Sequence, residues 1–154
     1  MTRTTSRSDR SSSSSFEAGG IGPETAESKP KIIIVDDDRE TREMLALALG
    51  MEGFEVSQAA NGLRLISTLH VDQPDLILLD VNMSWIDGFE LCRAVRQNEE
   101  FKRIPVVFVS ARSAASDVKK GLEAGAADYF TKPVEIATLV ARIRELIAGE
   151  HLAG

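Results

Sequence analysis

One cysteine, one tryptophan and one tyrosine stand in a chain of 154 residues, and aromatics make up only 5% of it. Cys92 has no partner for an internal disulfide, which fits a reducing compartment. It falls inside a helical pattern and reads as a small packing residue rather than a nucleophile. No apolar run approaches the roughly 20 residues that span a bilayer. No apolar signal-peptide core follows Met1. A cytoplasmic protein without membrane insertion is expected. Basic charge is also short, with 18 Lys and Arg against 24 Asp and Glu and a net charge of −6. Residues 1–30 are balanced, with Arg3, Arg7, Arg10 and Lys29 against Asp9, Glu17, Glu24 and Glu27. The rest of the chain keeps 14 of the basic and 20 of the acidic side chains, and so holds the whole imbalance. Backbone binding to nucleic acid needs a basic face, so nucleic acid is not an expected partner.

A hydrophobic content of 43% is enough for one domain of ordinary size. Residues 1–30 are of different material: an unbroken serine run from Ser11 to Ser15, then Gly19-Gly20, Pro23 and Pro30. Phe16 and Ile21 are their only large apolar residues besides Met1, too few to offset the entropy of ordering. This stretch reads as a disordered Ser-rich tail. Its three glutamates count against an organelle transit peptide.

Order is expected from Lys31. Ile32-Ile33-Ile34-Val35 reads as a strand buried on both faces, and it ends in Asp36-Asp37-Asp38. A helix follows from Arg39 to Met51, with Asp38 as N-cap and Gly53 near its end. Phe54 to Gln58 alternates like an edge strand. Asn61-Gly62 leads into a short helix read through Leu63, Ile66, Leu69 and Val71. Leu76-Ile77-Leu78-Leu79 is a second fully buried strand, stopped by Asp80, and Asp87-Gly88 opens a helix with Phe89, Leu91, Cys92 and Val95 inward. Ile104 to Val109 is a strand ending in Ser110. A weak helix from Asp117 to Ala124 is interrupted by Gly121, which costs about 1 kcal/mol relative to Ala. Ala127 to Phe130 is the fifth strand, running into Thr131-Lys132-Pro133. The last helix places Ile136, Leu139, Val140, Ile143 and Ile147 on one stripe. A short tail is expected over residues 150–154.

Five strands alternating with helices predict an α/β domain with a parallel sheet. The flavodoxin-like (βα)5 doubly wound order 2-1-3-4-5 puts the ends of the first and third strands side by side at the switch point. Asp36, Asp37 and Asp80 then meet. Three close carboxylates repel, so a bound cation or raised pKa values must compensate. An all-oxygen cluster suits Mg²⁺. Ser110 ends the fourth strand and Lys132 follows the fifth. Acids, a hydroxyl and an ammonium at successive strand ends are the set a phosphoryl group on Asp80 needs. The competing reading is structural, with Lys132 salt-bridging the acids.

In this order and spacing, Val35-Asp36-Asp37-Asp38, Leu78-Leu79-Asp80 with Asp87-Gly88, Val109-Ser110-Ala111 and Asp128-Tyr129-Phe130-Thr131-Lys132-Pro133 carry a resemblance. Residues 31–149 look like the receiver domain of two-component response regulators, in the manner of a single-domain chemotaxis-type regulator. The resemblance implies that Asp80 accepts phosphate from a histidine kinase or phosphotransfer protein. It implies that Asp37, Asp80 and the Asn82 backbone carbonyl bind Mg²⁺ directly, with Asp36 acting through water. Ser110 is then the switch hydroxyl, Tyr129 its aromatic partner and Lys132 the phosphate-binding cation, ahead of a cis bond to Pro133. Several positions depart from the pattern. Ser110 stands where Thr is common and Ser84 where proline is usual, with Trp85 next to it. Asn82 and Arg112 fill the positions that tune phosphoryl lifetime in the family.

The function expected is a stand-alone receiver, catalysing only its own phosphorylation and dephosphorylation. Its output would pass to an effector protein or through a phosphorylation-dependent homodimer, by way of the helix near residues 115–124, the fifth strand and the last helix. Two alternatives stay open: a receiver piece of a longer regulator, and a Mg²⁺-dependent phosphoaspartyl phosphatase. The phosphatase wants an acid where this chain has Asn82.

Overall fold

The computed structural model describes residues 28–153. The expected disordered tail therefore lies outside the described residues, except for Ser28, Lys29 and Pro30. Five strands alternate with five helices: β1 (Lys31–Val35), α1 (Arg39–Met51), β2 (Glu55–Ala59), α2 (Gly62–Val71), β3 (Leu76–Leu79), α3 (Gly88–Gln97), β4 (Val106–Ser110), α4 (Ala115–Glu123), β5 (Asp128–Thr131) and α5 (Ile136–Ala153). All strand pairs are parallel, in the order β2-β1-β3-β4-β5. This is the flavodoxin-like topology that the sequence pattern predicts.

The unbroken apolar strands follow from burial on both faces. Ile33, Val35, Ile77 and Leu79 point to one side, where they meet Leu65 and Leu69 of α2 and Phe89, Leu91, Cys92 and Val95 of α3. Ile32, Ile34, Leu76 and Leu78 point to the other, against Leu45 and Leu49 of α1 and Leu139, Val140, Ile143 and Ile147 of α5. The period of two along each strand thus splits one apolar run between two cores. Cys92 is part of that packing. Its Sγ lies 3.6 Å from the Ala124 carbonyl, and burial pushes the thiol up to about 11.

Several boundaries and faces differ from the sequence reading. In α2, Leu63 is 70% exposed and Val71 is exposed too, while Leu65 is buried. The inward stripe is Gly62, Leu65, Ile66 and Leu69, an i, i+3, i+4, i+7 set that leaves no room for 63 or 71. A glycine cannot announce itself as an apolar position, and without Gly62 as its start the periodic pattern takes in Leu63 and Val71 in place of Gly62 and Leu65. For α1 the sequence reading assigns no inward face; there only Leu45 and Leu49 are buried, and Met44, Leu47 and Met51 face outward. β2 begins one residue later than expected, at Glu55, and Phe54 is a buried residue ahead of it. α4 begins at Ala115, two residues early.

The expected tail over residues 150–154 is corrected by α5, which runs on through Ala153. Gly149 lies within the helix, where one glycine costs about 1 kcal/mol, and the strong helix formers ahead of it, Leu146 and Ala148 among them, outweigh that. Gly121 has a clear reason to be glycine: a Cβ there would lie 2.8 Å from Tyr129 Cδ2 and 3.1 Å from Phe108 Cδ2. The helix-weakening residue is what lets α4 sit on the sheet. No helix among the described residues is long and apolar enough to cross a membrane.

Candidate functional site

Parallel register brings the strand tips together. Val35 pairs with both Ala59 and Leu79, so the next residues, Asp36 and Asp80, leave the sheet side by side. Asp36 N–H donates to the Ala59 carbonyl at 3.2 Å, and Asp80 N–H donates to the Val35 carbonyl at 3.0 Å. Both acids are buried, Asp36 at 2% and Asp80 at 7% exposure, while Asp37 faces solvent. One carboxylate oxygen from each of Asp36, Asp37 and Asp80 lies within 4.8 Å of the others.

Lys132 arrives from the far side of the sheet. The Lys132 N–H donates to the Ser110 carbonyl at 2.8 Å, and the Lys132–Pro133 bond is cis. The Lys132 ammonium donates to Asp36 Oδ2 at 2.8 Å and stands 3.9 Å from Asp80 Oδ2. Asp80 Oδ1, by contrast, is buried with no hydrogen-bond partner among the described residues. Burial first, and the Asp36 charge second, push the Asp80 carboxyl above the usual carboxylate range, with Lys132 opposing both. A buried unpaired acceptor costs stability unless something meets it.

Ser110 is fully buried at the tip of β4, its Oγ accepting from the Arg112 N–H at 3.2 Å. The Tyr129 hydroxyl donates to the Arg112 carbonyl at 2.6 Å, while its ring packs 5.6 Å from Phe108. Ser110 and Tyr129 are therefore joined through one residue, Arg112. The Arg112 guanidinium also reaches Asp117 of α4 at 3.4 Å and the Asn82 side chain at 3.5 Å. Asn82 itself is exposed at the rim, two residues beyond Asp80. Arg112 is more than a residue beside the site: it bridges the site and the start of α4. The sequence offers no periodic signal for that.

Three oxygen-donor acids meet here, one of them carrying an orphaned buried oxygen, and a single ammonium stands against two of them, Asp36 and Asp80. That donor set fits a hard divalent cation such as Mg²⁺. Asp36, Asp37 and Asp80 are the residues able to hold it.

The loop after β3 is strained at Trp85, a 97% exposed residue with φ of +80°. An L side chain in the left-handed region costs about 1–2 kcal/mol. Trp85→Gly relieves that strain but makes the unfolded chain more mobile, at about 0.5–1 kcal/mol. The variant is expected to be about 0.5 kcal/mol more stable than the parent by urea titration. Equal or lower stability would refute the strain at Trp85.

Residues 32–144 match the response regulator receiver domain family. A transcriptional regulatory protein of Streptomyces coelicolor, CseB, is 44% identical over 116 residues, covering 75% of this chain and 48% of that protein. PrrA of Mycobacterium leprae is 40% identical over 124 residues, covering 80% of this chain and 52% of that protein. The chain thus spans about half the length of these curated relatives. Among solved structures, a CheY-like receiver domain protein of Methanospirillum hungatei superposes with a TM-score of 0.76 at 26% identity, covering 82% of this chain and all of that one. The receiver domain of a Syntrophus aciditrophicus histidine kinase gives 0.72 at 33% identity, covering 78% and 91%. Strand order, acidic strand tips and matched sequence agree: this chain belongs to the response regulator receiver domain family of two-component phosphorelay signalling.

Proposed function

We propose that the domain accepts a phosphoryl group on Asp80 from the phosphohistidine of a histidine kinase or phosphotransfer protein. The orphaned, buried Asp80 Oδ1 carries this reading. Among the described residues it is the buried side-chain oxygen without a partner, and Lys132 stands on the Oδ2 side of the same carboxylate. The carboxylate attacks phosphorus, the P–N bond breaks, and its electron pair returns to the imidazole ring of the donor. Asp37, Asp80 and the Asn82 backbone carbonyl would hold Mg²⁺ directly, with Asp36 acting through water, and the ion when bound would supply charge neutralisation on the transferring group. Lys132 neutralises the remaining oxygens, and Ser110 turns its hydroxyl from Arg112 to the phosphoryl group.

Loss of the Arg112 N–H to Ser110 Oγ bond frees the loop that also holds the Tyr129 hydroxyl. Ser110 and Tyr129 are in this way the switch pair, biasing the α4–β5–α5 face toward an effector or a second copy. An apolar groove of about 510 Å³ between α1 and the loop after β5, lined by Met44, Ala48, Val134 and Ile136, opens beside Lys132. It supports docking of the phosphodonor protein there. The role places the domain in the cytoplasm. The domain turns over only its own phosphate and no external substrate.

Output by a stand-alone receiver and output through an attached domain are both compatible with this chemistry. The second is favoured by relatives twice as long whose names describe transcriptional regulators. In that case the attached domain, rather than this acidic receiver, contacts nucleic acid. Reading the coding sequence beyond Gly154 separates the two.

The phosphoryl reading is tested with acetyl phosphate and intact-mass spectrometry. One phosphate should add to the chain with Mg²⁺ present, and chelation with EDTA should reduce labelling to background. Labelling that ignores EDTA removes the metal from the account, and no labelling under any condition removes the acceptor role.

A further inference from the structure

Asp37 is the one acid of the three that faces solvent, and no hydrogen bond holds its side chain among the described residues. Its direction is set by the backbone on either side. After it, the Asp38 N–H donates to Asp36 Oδ1 at 2.9 Å. Before it, the Asp36 carbonyl accepts from Arg42 Nη1 at 2.8 Å. Arg42 sits in the first turns of α1, where its own N–H donates to the Asp38 carbonyl at 3.0 Å. The other edge of its guanidinium, Nε, donates to Gln58 Oε1 on edge strand β2 at 3.1 Å.

The remaining polar atoms of Asp36 are already engaged with Ala59, Asp38 and Lys132. Without Arg42, the carbonyl of the Asp36–Asp37 peptide would be the one group of this buried residue left without a partner. Arg42 spends its rigid fork on two neutral oxygens and makes no salt bridge with a carboxylate among the described residues. Its placement makes sense as geometry rather than as charge pairing.

We propose that Arg42 is a positioning residue for the cation site: by pinning the Asp36–Asp37 peptide plane between α1 and β2, it aims the Asp37 carboxylate at the metal. This rests on the Mg²⁺ reading above. Two effects of the side chain oppose each other, and their sum has a sign that can be measured. As a positive charge near the site, Arg42 repels a dication, so its removal by charge alone tightens Mg²⁺ binding. As the anchor of an outer-shell carbonyl, its removal loosens a ligand, at about tenfold or more in metal affinity. Screening by solvent at this half-open site weakens the first effect and leaves the second.

The experiment is Mg²⁺ titration by calorimetry on the full chain, with Trp85 fluorescence as a second readout and circular dichroism as the folding control. Arg42→Met is expected to bind Mg²⁺ about tenfold more weakly than the parent. Arg42→Lys, whose ammonium can still donate to the Asp36 carbonyl but lacks the fork that also holds Gln58, should recover part of that affinity. Gln58→Leu leaves the charge untouched, frees only the Nε end, and should weaken binding a few-fold. These two variants keep the test alive if Arg42→Met does not fold. Unchanged or tighter Mg²⁺ binding in Arg42→Met, or parental affinity in both Arg42→Lys and Gln58→Leu, overturns the proposal. A parent chain that binds no Mg²⁺ overturns the functional reading itself, and that outcome is visible before any variant is compared.

Discussion

Asp80→Asn is expected to gain no phosphate from acetyl phosphate and, in EDTA at neutral pH, to melt at a higher temperature than the parent. The first effect follows if Asp80 is the acceptor: an amide has no anionic oxygen with which to form the ester. Label that persists in Asp80→Asn places the acceptor elsewhere. The second effect comes from the same burial that makes the site reactive. Asp80 is 7% exposed, its Oδ1 has no partner among the described residues, and the Asp36 charge adds to the burial in raising its pKa. An acid whose folded-state pKa lies above its unfolded value binds its proton more tightly when folded. Its contribution to stability is therefore best in acid. That contribution falls as pH rises from the ordinary carboxylate range through the raised folded value, and the full penalty stands above that. Asn is neutral throughout, so the variant should lack this falling limb. A gain of about 1 kcal/mol, roughly 4 °C in Tm for a domain of this size, is expected at neutral pH. Mg²⁺ should raise the Tm of the parent, because it binds the folded state, and should leave Asp80→Asn nearly unmoved. A variant no more stable than the parent in EDTA would show that Lys132 already satisfies the buried charge.

Gly88→Ala should be the most damaging single methyl in the domain. Gly88 opens α3, and its N–H donates to the Val81 carbonyl at 2.8 Å. A Cβ at this position would lie 2.3 Å from the Asp80 carbonyl oxygen and 2.8 Å from Val81 Cα. Both neighbours are backbone, so no flexible side chain can swing away. Relief requires α3 to back off β3, and α3 carries Phe89, Leu91, Cys92 and Val95 into the core. Overpacking against backbone is expected to cost about 3 kcal/mol or more, read as a lower urea midpoint with little change in m. The strained peptide is also the one that carries Asp80, so Mg²⁺ affinity should fall with stability in the same variant. Gly50 makes a control, because a Cβ there meets nothing within 4 Å and it lies inside α1. Gly50→Ala should stabilise by about 1 kcal/mol through helix propensity alone. If Gly88→Ala and Gly50→Ala behave alike, the close approach of α3 to β3 is not what requires glycine at position 88.

The order of strands and helices was legible in the chain because it rests on local patterning. Runs such as Ile32 to Val35 and Leu76 to Leu79 cannot be covered except between two helical layers, and right-handed crossovers leave few windings. The meeting of Asp36, Asp37 and Asp80 was legible for the same reason, since a residue at a strand tip goes wherever its strand goes. The Asp38 cap was equally local, accepting from a backbone N–H three residues on, and Asn61 and Asp87, legible only as turn residues ahead of their helices, cap them in the same way.

Other features depend on groups far apart in the chain and left no local trace. The inward face of α2 turned on Gly62 packing near Ile86 and Leu91, and a missing side chain has no hydropathy to read. Gly121 looked like a helix weakness until Tyr129 and Phe108 were seen to need the space. Lys132 could be placed at the acids, but which acid it grips was decided by the approach of the loop after β5, and it grips Asp36. Arg42 carries no signal in the sequence beyond the polar face of a helix, and Arg112 is marked only by the family resemblance; packing alone shows that they hold the carbonyls and hydroxyls around the site. Period and strand-end chemistry thus set the architecture and the acidic pocket from the chain alone. Which oxygen stays unpaired, and which side chains hold the pocket's shape, was settled by contacts between residues as much as 96 positions apart, which no local pattern encodes.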